Sequence, residues 1–91
     1  MAFFKLRTTV MKDHLRLLDD LAAGNYKLTY HARRRMAERC ISDHDIRACG
    51  FNGTVISESE GRYRIRGEDL DGDVLDVVCV YEGETLIITV Y

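Results

Sequence analysis

The stretch Val74–Tyr81 is apolar at every position except Asp76. Because successive side chains of a strand point to opposite faces of its sheet, a strand that is apolar at odd and even positions has both faces covered. We therefore expect Val74–Tyr81 to be a central strand. With 91 residues, the chain has material for one modest core, so the sequence predicts a single domain over residues 1–91.

Shorter strand patterns lie on both sides of this stretch. Two of these patterns, Thr54–Ser57 and Arg62–Arg66, precede it, and Leu86–Tyr91 follows it. Short connections join consecutive strands, and the one before Val74 contains the hairpin signal Asp71-Gly72. Consecutive strands joined by short turns favour an antiparallel arrangement. Tyr26–Tyr30 also alternates and predicts a short strand earlier in the chain.

Three helical patterns occur in the first half. Apolar residues recur at helical spacing from Met11 to Ala22, after a candidate cap at Thr8 or Thr9, and a second pattern covers His31–Arg39. The third begins at the capping-box sequence Ser42–Asp45 and is predicted to end at Gly50. The order α-β-α-α-β-β-β-β predicts an α+β fold, with the helices packed on one face of a small antiparallel sheet.

The net charge of −2 conceals a strong asymmetry. Residues 1–50 carry a net +4 and residues 51–91 a net −6, and ten of the thirteen basic residues are arginine. The planar guanidinium presents a fork of donors that matches phosphate and carboxylate. An acidic chain can therefore still bind a polyanion through a local arginine-rich patch.

One such patch is a line on the second helix. His31, Arg35 and Arg39 are spaced i, i+4 and i+8, with Arg34 beside them. Cleavage of RNA without a metal needs a base for the 2′-hydroxyl, an acid for the leaving oxygen and cations at the phosphate, and imidazole and guanidinium groups suit these roles. The alternative is a solvated helix face with no catalytic role.

A second patch lies on the strand Arg62–Arg66, whose alternation places Arg62, Arg64 and Arg66 on one face. This face suits a phosphate backbone, or it is the charged side of an edge strand. We expect helix 31–39 and this strand to border one cationic groove.

The last strand offers further candidates. We predict Tyr91, Thr89 and Ile87 on one face, where Tyr91 stacks on a base, positions a phosphate or closes the end of the core.

The three cysteines, Cys40, Cys49 and Cys79, contain no CxxC pair. We therefore expect neither a disulfide framework nor a zinc site in the chain, and no metal or other cofactor. The thiols are expected to be free, and the sequence has neither an apolar run of membrane-spanning length nor a signal-peptide pattern. These features predict a soluble, cytoplasmic protein that does not bind membranes.

The chain contains the pattern H-A-x-x-R-M-x-E-R, followed by I-S, and a final T-V-Y. These residues are His31-Ala32, Arg35-Met36, Glu38-Arg39, Ile41-Ser42 and Thr89-Val90-Tyr91. Through these motifs, the chain resembles the domain-of-unknown-function family 4258 over about residues 26–91. One departure is Cys40, where the family usually has glycine, so a left-handed helix cap at that position is expected to be strained or replaced.

This family is similar in element order to bacterial toxins of the MqsR and RelE type, which are mRNA endoribonucleases. The resemblance implies a toxin-like endoribonuclease and a zinc-binding antitoxin protein as its partner. We predict catalytic roles for His31, Arg35, Arg39 and Tyr91, and RNA contacts from Arg34, Arg62, Arg64, Arg66 and Thr89. The alternatives are a non-catalytic RNA- or protein-binding module that uses the same arginine-rich face, and a small interaction protein whose arginines only maintain solubility.

Overall fold

A computed structural model describes residues 14–91 and contains three helices in this range. Helix α1 covers residues 14–23, α2 covers Tyr30–Arg39 and α3 covers Asp43–Asn52. The predicted first helix is thus confirmed from residue 14 onward, whereas its expected cap at Thr8 or Thr9 lies outside the described range.

Five strands form one sheet in the order β1-β5-β4-β3-β2. Their bounds are Lys27–Leu28 (β1), Thr54–Ser59 (β2), Arg62–Glu68 (β3), Val74–Tyr81 (β4) and Thr85–Val90 (β5). Strand β4 lies at the centre, as its apolar pattern predicted. Strands β2 to β5 are antiparallel, whereas β1 runs parallel to β5. The α+β class and element order are confirmed, and the parallel β1 makes the sheet mixed.

The short length of β1 has a local cause. Its strand pattern extended to Tyr30, but the Thr29 side chain accepts a hydrogen bond from the Ala32 backbone N–H and so caps α2. A side-chain acceptor at this position satisfies one of the free N–H groups of the first turn. Tyr30 therefore begins a helix, and β1 consists only of Lys27–Leu28.

The core lies between the helices and one face of the sheet. Its buried residues are Leu17, Leu21, Ala32, Met36, Ile46, Cys49, Ile65, Leu75, Val77, Cys79, Ile87 and Val90. Burial of each large apolar side chain contributes about 1.5–3 kcal/mol. The opposite face of the sheet carries Arg64, Arg66 and Asp76, because these residues alternate with core residues on β3 and β4.

Helices α2 and α3 are joined by two well-defined caps. Ser42 and Asp45 form the predicted capping box, with hydrogen bonds in both directions. Cys40 ends α2 with φ 55° and ψ 40°, and its N–H donates to Ala37. The left-handed cap is therefore retained by a non-glycine residue, which costs about 1–2 kcal/mol relative to glycine.

None of the helices within residues 14–91 has the length and apolar character that a membrane span requires.

Candidate functional site

A β-bulge in β5 determines where the end of the chain points. Ile87 pairs with Cys79 and faces the core, whereas Thr89 pairs with Val78 on the opposite face, so one extra residue lies between these two pairs. Our prediction that Ile87, Thr89 and Tyr91 share a face is wrong for Ile87, because a bulge reverses the alternation of the residues after it. Tyr91 consequently lies on the face that the core does not occupy.

Helix α2 is held beside the end of β5 by its own cap. The Thr29 hydroxyl donates to the carbonyl of Ile88, the bulged residue, at 2.9 Å. From this start, the helix carries Arg35 to the edge of β5, where its Nε donates to the Val90 carbonyl at 3.4 Å. The same Thr29 side chain therefore starts the helix and fixes its position relative to the sheet.

Two arginines from separate elements meet at Tyr91. The Arg64 guanidinium carbon lies 4.8 Å from the centre of the Tyr91 ring, and that of Arg35 lies 5.5 Å from it. Both distances are within the range of attraction between a cation and an aromatic ring. The backbone of Tyr91 forms two hydrogen bonds with Asp76, which extend the sheet beyond β5. Arg35 of the predicted line and Arg64 of the predicted strand thus border a common site.

The acid at the centre of this site is Asp76, which sequence reasoning noticed only as an exception in an apolar strand. Its carboxylate is 5% exposed and accepts from Arg66 Nε at 2.8 Å, Arg66 Nη2 at 2.9 Å and Arg64 Nε at 2.7 Å. Two of the three arginines of β3 are therefore paired with an acid, and Asp76 orients their guanidinium groups. We refer to Arg35, Arg64, Arg66, Asp76 and Tyr91 as the Tyr91 cluster.

The side chains of the Tyr91 cluster carry a net charge of +2, from three arginines and one aspartate. The side chains of Arg64 and Arg66 are 39% and 52% exposed, and the Tyr91 residue is 41% exposed. An anion can therefore reach the guanidinium groups from solvent while Asp76 remains buried beneath them. Cations held in this way, with little freedom to reorient, suit the binding of a phosphate group.

The other predicted site residues are not part of this cluster. Four of these predicted residues are exposed: His31, Arg34, Arg39 and Arg62. Between residues 14 and 91, none of their side chains forms a hydrogen bond, an ion pair or a ring contact with the Tyr91 cluster. Thr89 is on the same face but is only 7% exposed, and its hydroxyl contacts the Val90 carbonyl at 3.5 Å. The structure thus brings together Arg35, Arg64, Arg66 and Tyr91.

The two arginines also control the ionisation of Asp76. The hydrogen bonds from Arg66 have the largest effect and hold the pKa of Asp76 below its usual value. The hydrogen bond and charge of Arg64 act in the same direction, whereas burial opposes them. A carboxyl group whose pKa is lower in the folded state stabilises the fold above its unfolded pKa of about 3.9. That contribution is lost as the pH falls through the folded-state pKa.

We expect Asp76→Asn to lower the free energy of unfolding at neutral pH by about 1–3 kcal/mol, because it removes charge from a buried hydrogen-bonded group. The difference from the wild type should shrink in acid, where Asp76 of the wild type becomes protonated. Urea unfolding between about pH 3 and pH 7 measures both effects. Asp71→Asn, in an exposed turn, is the matched control. A difference that stays constant with pH would contradict the assignment to Asp76.

No group of three or more His, Cys, Asp or Glu side chains within residues 14–91 is arranged to hold a metal ion. Cys49 and Cys79 are buried in the core and Cys40 is exposed. Burial raises the pKa of Cys49 to about 11 and that of Cys79 to about 12. Both buried thiols therefore remain protonated at neutral pH and act as apolar core residues.

Comparison with known proteins assigns the chain to a family. No curated protein and no solved structure matches it significantly. The family described as Domain of unknown function (DUF4258) matches residues 28–91, a range that contains all the residues of the Tyr91 cluster as well as β1 to β5, apart from the first residue of β1. Because this match covers more than half of the 91 residues, the chain belongs to the DUF4258 family.

Proposed function

We propose that this protein is a toxin-type endoribonuclease that cleaves RNA at the Tyr91 cluster without a metal ion. The observation that carries the proposal is the meeting of Arg35 and Arg64 over one aromatic ring. Both cations come from segments predicted to face a phosphate, and Asp76 holds Arg64 by accepting a hydrogen bond from it. Stabilisation of charge that develops on a phosphate is the largest single requirement of such a reaction.

The proposed reaction transfers a phosphoryl group within the RNA. The 2′-hydroxyl oxygen bonds to the adjacent phosphorus and loses its proton, while the bond to the 5′-oxygen breaks and that oxygen gains a proton. The products are a 2′,3′-cyclic phosphate and a 5′-hydroxyl end. Arg35 and Arg64 stabilise the phosphate oxygens, and the groups proposed for the two proton transfers are the His31 imidazole and the Tyr91 hydroxyl.

Tyr91 is better suited to positioning than to base stacking. Its ring already interacts with two guanidinium groups, and a stacked base would compete with them for the ring. In this proposal, the ring orients the arginines.

We expect the purified chain to cleave single-stranded RNA in the presence of EDTA and to leave cyclic phosphate ends. Expressed alone in bacteria, it should arrest growth. Gel analysis of the RNA, with end-group identification, measures the first effect, and colony counts after induction measure the second. Cleavage that EDTA abolishes would contradict the metal-independent reaction.

A second candidate is a non-catalytic RNA-binding module that uses the same cations. The exposure of His31 favours it, because between residues 14 and 91 the imidazole has no hydrogen-bond partner to orient it. A binder needs only the arginines, whereas a catalyst also needs a base and an acid close to them. Retention of RNA in a binding assay, with no cleavage and no growth arrest, would identify this function.

As protein partner we propose a zinc-binding antitoxin, on the strength of the resemblance to MqsR-like toxins. Such a partner would hold its own zinc through paired CxxC motifs. A neighbouring gene that encodes a short protein with two CxxC pairs, and co-purification of its product with this chain, would support the pairing.

A further inference from the structure

A cleft of about 510 Å³ lies on the other side of α2 from the Tyr91 cluster. Arg33 reaches it, whereas Arg35, two residues later and about 200° further round the helix, faces Tyr91. Its lining includes Gly24, Tyr26, Lys27, Arg33, Asp43 and Arg47. We refer to it as the Arg33–Arg47 cleft.

Cations outnumber acids in the Arg33–Arg47 cleft. The lining carries three cations, Lys27, Arg33 and Arg47, and one acid, Asp43. Lys27 is paired with Glu84 at 3.6 Å at the exposed rim. Within residues 14–91, neither arginine forms an ion pair. The two guanidinium forks of the cleft are therefore available to an anion.

The acid of the cleft is already engaged by a neighbour. The Tyr26 hydroxyl donates to Asp43 Oδ1 at 2.7 Å. Burial of Tyr26, and then its bond to Asp43, raise the pKa of this phenol well above its usual value. The hydroxyl thus remains a donor at physiological pH and holds Asp43, which forms no ion pair with the three cations of the cleft.

The Arg47 side chain lies close to the backbone at Gly24. A Cβ built on Gly24 would lie 2.6 Å from Arg47 Nη2 and 2.7 Å from its Nε, so the guanidinium rests directly against this glycine. Gly24 also has φ +76°, which side-chain-bearing residues rarely adopt. The exposed Arg47 guanidinium therefore lies against the Gly24 backbone at the cleft.

We propose that the Arg33–Arg47 cleft binds a terminal phosphate group through the guanidinium groups of Arg33 and Arg47. A phosphomonoester carries a charge of about −1.5 to −2 at neutral pH, so it can engage both guanidinium charges, whereas a carboxylate or a phosphodiester carries a single negative charge. Arginine forks bind such groups with paired hydrogen bonds. A free nucleotide and the 5′-phosphate end of an RNA both present this group. The proposal does not depend on cleavage at the Tyr91 cluster.

Calorimetric titration of the full chain tests the proposal. The probes are adenosine 5′-monophosphate, adenosine, and a short oligodeoxynucleotide with either a 5′-phosphate or a 5′-hydroxyl. We expect the monophosphate to bind and adenosine to bind at least tenfold more weakly. Stronger binding of the 5′-phosphorylated oligomer than of both the 5′-hydroxyl oligomer and the monophosphate identifies a nucleic-acid end as the source. Equal binding of the 5′-phosphorylated oligomer and the monophosphate identifies a free nucleotide.

Variants assign the binding to this cleft. Arg33→Ala and Arg47→Ala should each weaken binding of the monophosphate at least tenfold. Arg16→Ala removes the same charge from α1, outside the cleft, and should leave the affinity unchanged. Arg33 is exposed, so its variant remains informative if Arg47→Ala does not fold. Equal binding of adenosine and its monophosphate, or an unchanged affinity in Arg33→Ala, would overturn the proposal.

Discussion

Replacement of Arg35 by alanine is expected to lower the rate of RNA cleavage by about 10²–10³-fold, the usual loss when one preorganised charge-stabilising donor is removed. The same variant should no longer arrest growth. Its fold should survive, because Arg35 contributes one long hydrogen bond to Val90 and one cation–ring contact with Tyr91. Such a partly exposed contact contributes about 0.5–1 kcal/mol. Cleavage kinetics and a thermal melt of the same preparation measure both effects.

The chain contains a matched control for this variant. The Arg16 guanidinium lies 5.1 Å from the ring centre of Tyr81, so Arg16→Ala also removes an arginine from a tyrosine ring, but away from the Tyr91 cluster. It should cost similar stability and leave cleavage unchanged. Arg35→Lys keeps the charge but loses the planar fork, and it should restore only part of the activity. Equal cleavage by wild type and Arg35→Ala would place the reaction elsewhere.

Local sequence signals predicted the parts of the fold that depend on near neighbours. The central position of β4 followed from its two apolar faces, and the capping box at Ser42 followed from residue types three positions apart. The parallel pairing of β1 with β5 was not predictable in this way, because it joins Lys27 to Leu86. The end of α3 also differs from the prediction: Gly50 predicts a stop, yet the helix continues to Asn52.

The site was predictable to the same extent. The helical spacing on α2 predicted Arg35 as a site residue, and the alternation on β3 predicted Arg64. The bulge that directs Tyr91 toward them is not indicated by the residue types of β5. The pairing of Asp76 with Arg64 and Arg66 depends on the register of β3 and β4. One signal was present: Asp76 is the only charged residue in an otherwise apolar strand, and a buried charge needs a partner.

Gly50 is a point of contact between two helices. An added Cβ would lie 2.4 Å from the Ala22 backbone nitrogen and 2.7 Å from Leu21 Cβ. Distances this short cannot be relieved by rotation of a flexible side chain, because the nearest atom belongs to the backbone of α1. Glycine at this position therefore allows α1 and α3 to approach closely, and this close packing explains why a residue that is poor for helix propensity lies inside α3.

We expect Gly50→Ala to destabilise the fold, although alanine is the better helix former. The gain in helix propensity is about 1 kcal/mol, whereas forcing extra volume into a packed contact costs about 1–3 kcal/mol and more where backbone must move. With backbone displaced on α1, we expect a net loss of about 2 kcal/mol, or a fall in Tm of roughly 8–16 °C for a domain of this size. Phe51→Ala, at the next position and 84% exposed in the wild type, should change stability by less than about 0.5 kcal/mol. Thermal and urea unfolding measure both variants. A Gly50→Ala protein as stable as the wild type would mean that α1 separates from α3 at little cost, and the close contact would then contribute little to the stability of the core.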